Sequence, residues 1–150
     1  MSLVQFDNDL AVPDWLRKHV VGVNIISIQR PSFPYIPFLI VSKKLSELTG
    51  FVSYNNGLAF ISEEVPKDFR EFFILHEFIE FEELKGVQGA CLESLKRELH
   101  LVPPDKQKNY INYRKVFFQL LVGYYKERAG TVTPQFRSEI ESSLRHLESL

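Results

Sequence analysis

Hydrophobic and polar positions change their spacing near the middle of this chain. Val20 to Gln29 is rich in Val and Ile and predicts a strand, long or bulged around Gly22. Arg30 to Pro37 carries three prolines and predicts an extended connector. Phe38-Leu39-Ile40-Val41 has the composition of a short buried strand. Ser42 is suited to cap a short helix from Lys43 to Thr49, closed by Gly50. Phe51-Val52-Ser53-Tyr54 and Leu58-Ala59-Phe60-Ile61 flank Asn55-Asn56-Gly57, the strongest hairpin signal in the chain, because Asn and Gly tolerate positive φ.

From there the spacing becomes helical. Pro66 suits the first turn of a helix running to about Leu84 and ending near Gly86. A second helix runs from about Gln88 to His100 and is stopped by Pro103-Pro104. Asp105 is placed to cap a third, to about Arg128, with Gly130 after it. Thr133-Pro134 opens a fourth, carrying Phe136, Ile140, Leu144 and Leu147 on one stripe. Strands, a hairpin and then a run of helices predict an α+β fold, a single domain over 1–150 with four helices packed on one face of a small N-terminal sheet.

Composition narrows the functional classes. At 150 residues, 45% hydrophobic, with 13 Phe and 6 Tyr, the chain can bury a sizeable core. A formal net charge of -1, with no basic run of five or more, gives no pull toward nucleic acid or an anionic membrane. One cysteine, Cys91, excludes an intrachain disulfide and points to an intracellular protein. The start, Met1 to Asp7, lacks the basic and apolar regions of a signal peptide, and no apolar stretch approaches the roughly 20 residues needed to span a bilayer. The expectation is a cytoplasmic protein.

The candidate chemistry lies in the first long helix. His76-Glu77-Phe78-Ile79-Glu80 places an imidazole and a carboxylate one turn apart, with Glu77 beside them, in the layout of the H-E-x-x-H metallohydrolase helix with Glu in place of the second His. Apolar residues surround this helix on all sides, so His76 and Glu80 are expected to be partly buried and in need of a partner. A divalent cation is one partner; a hydrogen-bonded His–Glu pair, or exposure along a groove, is the plainer alternative.

The passage Leu58-Ala59-Phe60-Ile61, then Ser62 to Pro66, then Phe69-Arg70-Glu71-Phe72-Phe73-Ile74-Leu75-His76-Glu77 resembles the strand, connector and ligand helix of short gluzin-type zincin metallopeptidases. Gly89-Ala90-Cys91-Leu92-Glu93-Ser94-Leu95-Lys96-Arg97-Glu98-Leu99, followed by Pro103, is similar to the family's third-ligand helix. Small proteins with H-E-x-x-E, a glycine and a ligand-type residue seven positions later would put that ligand at Glu93, counting from Gly86. The resemblance covers Leu58 to Pro103 and implies His76, Glu80 and Glu93 as ligands of one divalent ion, zinc first and manganese or iron(II) next, with Glu77 as the catalytic base. It implies a peptide or protein substrate, which Leu58–Ile61, as an edge strand, would bind by strand addition.

Other assignments compete with it. Glu93 pairs equally well with Arg97 at i+4, and Glu98 and His100 are rival third ligands. Cys91, on the apolar side of its helix, reads as a small buried hydrophobe ahead of a thiolate ligand or nucleophile. Tyr110, Tyr113, Phe117 and Tyr124 follow core spacing, and His19 and His146 read as surface residues. The rival functions are a metal-binding domain without hydrolysis and a metal-free interaction module.

Overall fold

A computed structural model describes residues 12–26, 28, 35–55 and 57–150 of this chain. They form an α+β structure: helix α1 (Asp14–Arg17), strands β1 (Val20–Ile26), β2 (Ile36–Val41), β3 (Val52–Asn55) and β4 (Leu58–Ser62), then helices α2 (Lys67–Phe78), α3 (Ala90–Leu101), α4 (Gln107–Glu127) and α5 (Pro134–Glu148). Two compact units divide the chain, Met1–Ile74 and Leu75–Leu150, and the division falls within α2.

The first unit is built on a sheet of order β1-β2-β4-β3. β1 runs antiparallel to β2, with the register shift of a bulge between Val20 and Gly22, as expected from the glycine. Pro37 lies inside β2 rather than in a connector: Ile36 already pairs with Ile26. Residues 30–34 of the expected connector lie outside the described residues, as do Ser27 and Gln29 of the expected first strand and Asn56 of the turn. β3 and β4 form the expected hairpin, pairing Asn55 with Leu58, and Gly57 takes a φ of 82° in its turn. β4 also pairs in parallel with β2 through Phe60–Ser62. Leu58–Ile61 is therefore an interior strand, not the edge strand expected for peptide capture; among the described residues β1 and β3 form the edges.

Val12, Leu16, Leu39, Val41 and Phe51 make the core of this unit, with Leu45, Leu48, Leu58 and Phe60 packed against it. Trp15 and Phe51 each meet Phe60 edge to face, at 6.4 and 6.3 Å. The helix expected from Lys43 to Thr49 shrinks to a single 3-10 turn, Lys43–Leu45. Ser42 Oγ does accept from Lys44 N, but Ser46 Oγ accepts from Leu48 N at 3.1 Å, taking a backbone donor the helix would have used.

In the second unit α2 does not continue regularly to Leu84. After Phe78 it widens into a π turn, Ile79–Glu83, in which Leu84 N donates to Ile79 O. Lys85 and Gly86, both with positive φ, then end it, Gly86 N donating to Glu80 O at 2.8 Å. α3 packs against this turn and against α5, and α4 packs along α5. Gln107 Nε2 donates to the Leu99 and Val102 carbonyls and so satisfies the open end of α3. Lys106, not Asp105, occupies the cap position of α4, with no side-chain hydrogen bond. Thr133 caps α5 as expected, its Oγ1 accepting from Phe136 N at 3.1 Å. The buried stripe of α5 is Ile140, Ser143 and Leu147; Leu144 is half-buried and Phe136 exposed. Among the described residues no helix is long and apolar enough to cross a membrane.

Candidate metal centre

His76 occupies the last turn of α2, with only 5% of its surface exposed. Ser94 Oγ on α3 donates to its backbone carbonyl at 2.6 Å, which ties the two helices together just before the π turn. The ring is held from both sides. Nδ1 lies 2.8 Å from Glu98 Oε1, and Nε2 lies 3.2 Å from Glu80 Oε1 and 3.8 Å from Cys91 Sγ. Cys91 Sγ is in turn 3.3 Å from Ser143 Oγ on α5.

Glu98 has no exposed surface, and a carboxylate buried so completely needs compensation. Arg114, on α4, grips it with two hydrogen bonds, Nε to Oε2 at 2.7 Å and Nη2 to Oε1 at 2.9 Å. Tyr110, one turn earlier, donates its hydroxyl to Oε2. Burial alone would push the Glu98 carboxyl up, but the Arg114 charge, together with the hydrogen bond and charge of His76, holds it down at about 2. Burial and the Glu98 charge raise the Tyr110 hydroxyl, which therefore stays a donor. An ionised carboxylate only accepts, so His76 Nδ1 carries the hydrogen on that side. Oε1 receives His76 and Arg114, and Oε2 receives Tyr110 and Arg114. Four donors occupy the carboxylate's four lone-pair positions, leaving none for an ion.

The other acids differ sharply. Glu77 is half-buried, and its carboxyl is pushed up to about 7, by burial first and by the Glu80 charge, against the pull of His76. Glu80 belongs to the cluster. Glu93 does not: it is exposed on the far side of α3, and its Oε1 accepts from Arg97 Nε at 3.2 Å, the i+4 pairing. His100 is exposed as well. In place of Glu93 the structure brings Cys91 to the site. His76, Glu80 and Cys91 each offer one donor atom, all within 4.8 Å of one another.

The nitrogen–oxygen pair of this set has the spacing that ligands of a small divalent ion take. Bonds of about 2.0–2.1 Å at tetrahedral angles separate a ligand nitrogen from a ligand oxygen by about 3.4 Å. The Nε2–Oε1 separation of 3.2 Å is close to that value. Glu98 stands where a metal-bound imidazole usually keeps a carboxylate, on the nitrogen turned away from the ion. Without an ion, burial opposes a charged imidazole, yet the bonds to Cys91, Glu80 and Glu98 and the Glu98 charge raise the His76 pKa well above its ordinary value.

Glu98, Tyr110, Arg114, Ser94 and Ser143 went unassigned from the sequence, or were read as core or as a rival ligand. Their signal is a polar residue at an apolar-stripe position. Cys91, Ser94 and Glu98 share the buried face of α3 with Ala90 and Leu95, and Tyr110 and Arg114 share that of α4 with Phe117 and Phe118. No protein-family model matches this sequence, and neither the comparison with curated proteins nor that with solved structures returns a match.

Proposed function

We propose that this chain is a zincin-like metalloprotein that holds one divalent ion at His76, Glu80 and a third donor from α3, and that hydrolyses a peptide or other amide bond there. The observation that carries this reading is the division of labour at His76. One ring nitrogen is committed to a carboxylate pinned by Arg114 and Tyr110, and the other faces Glu80 and Cys91. Such an arrangement is what a metal-binding imidazole needs, because the outer hydrogen bond sets the tautomer and aims the lone pair. When bound, a divalent ion supplies Lewis acidity, polarising a carbonyl and acidifying water. Glu77, adjacent in sequence to His76, takes the proton of the attacking water and returns it to the leaving amine. Glu98 and Arg114 keep the imidazole oriented throughout.

Elemental analysis of the chain purified without added metal tests the reading, with about one equivalent of a transition metal expected. Glu77→Gln should keep that metal and lose at least about 100-fold in amide hydrolysis. His76→Ala and Glu80→Ala should lose the metal. If the chain holds no metal and takes none up, the proposal fails.

One observation favours a second reading, a metal-free module. His76 Nε2 is already within ion-pair distance of Glu80, and the raised imidazole pKa is that of a cation bridging Glu80 and Glu98. On that reading added zinc leaves the melting temperature unchanged.

A further inference from the structure

Resting on the metal reading above, we infer that the third ligand is the thiolate of Cys91, and that this makes the centre selective for zinc-class ions over manganese and magnesium. Glu80 and Glu93 together would have given a hard, oxygen-dominated set, and Glu98 is saturated by its four donors. With Glu93 turned away and paired to Arg97, the further donor beside Nε2 and Glu80 among the described residues is the Cys91 sulfur. Ligand bonds of about 2.0–2.1 Å to nitrogen and about 2.3 Å to sulfur place those atoms about 3.6 Å apart in a tetrahedral set. Cys91 Sγ lies 3.8 Å from Nε2.

The surroundings of the sulfur fit the same role. Cys91 is 7% exposed, which limits water and competing oxidants around a bound thiolate. A thiolate only accepts hydrogen bonds, and Ser143 Oγ, fully buried and 3.3 Å away, is positioned to donate one. One imidazole, one carboxylate and one thiolate leave a fourth position open, as catalytic sites of this ion class do. Thiolate softness then discriminates: sulfur favours zinc and cobalt, whereas manganese and magnesium prefer oxygen.

Cobalt(II) is the probe, because it takes zinc's geometry and reports its ligands optically. Added to the full-length chain, it should give the strong visible bands of a tetrahedral site and a near-ultraviolet thiolate-to-cobalt charge-transfer band. The chain has one cysteine, so in a monomeric complex that band belongs to Cys91 without further assignment. Zinc should bleach both features stoichiometrically; manganese and magnesium in large excess should not. Cys91→Ser should remove the charge-transfer band and weaken zinc binding by more than about tenfold. Ser143→Ala, a milder change, should shift the band while keeping the metal.

Cobalt binding without a charge-transfer band in the unaltered chain overturns the thiolate assignment and leaves a metal centre of oxygen and nitrogen donors. Displacement of cobalt by manganese at equal concentration overturns the selectivity. Failure of cobalt and zinc alike to bind overturns the underlying metal reading with it. Each of these is read on the native chain, so the decision does not depend on whether the Cys91 variant folds.

Discussion

Glu98 and Glu93, five residues apart on one helix, have opposite fates. At 3.6 residues per turn they are separated by about 140° around the axis, whereas Cys91 and Glu98 lie within about 20° of each other. Once Cys91 and Leu95 face inward, Glu98 must be buried and Glu93 must face solvent. Sequence spacing contained that relation but not the rotation of the helix, since α3 carries polar residues on every side. Arg114 shows the energetic consequence. Its removal leaves a fully buried carboxylate with only neutral donors and an imidazole, so Arg114→Ala should cost about 3–5 kcal/mol in urea unfolding. A cost under about 1 kcal/mol would mean that Glu98 is not ionised in the native state. Glu93→Gln should change stability by less than about 0.5 kcal/mol, since exposed pairs contribute little, and should leave metal content as it was. Loss of metal in that variant would restore Glu93 as a ligand.

At the scale of elements, local chemistry predicted existence and type better than ends. The hairpin and the four long helices were legible because turn residues and apolar spacing act within a few residues. Their irregularities were not. The π turn at Ile79–Glu83 and the positive φ at Lys85 reflect how the end of α2 meets α3, a contact between segments that sequence spacing does not specify. The capping residues allow a direct comparison. Thr133 and Asp105 both looked like N-caps, but only Thr133 accepts a backbone hydrogen bond. Thr133→Ala should therefore destabilise by about 1 kcal/mol. Asp105→Ala should fall within about 0.5 kcal/mol of the parent. Equal costs in thermal unfolding would contradict this difference in capping.

For the molecule as a whole, His76, Glu80 and Cys91 and the network behind them come from the second compact unit, although α2 begins in the first. Binding to the native state alone stabilises by mass action. Free zinc at 100 times its dissociation constant should add about 2.7 kcal/mol, reversed by a chelator. That corresponds to a rise of about 5–10 °C in Tm for a chain of this size. Amide hydrogen exchange should slow chiefly in α3 and the end of α2; protection confined to residues before Leu75 would place the ion elsewhere. The sequence by itself determined the α+β class, the hairpin, the helix order and the His76–Glu80 pair, because each depends on periodicity or on groups one helical turn apart. Tertiary structure alone decided that β4 is interior, that Cys91 rather than Glu93 joins the pair, and that Glu98, Tyr110 and Arg114 stand behind the imidazole. Those outcomes depend on which faces of separate segments are covered, and burial, which sets the cost of every unpaired polar group, is a property of the packed chain.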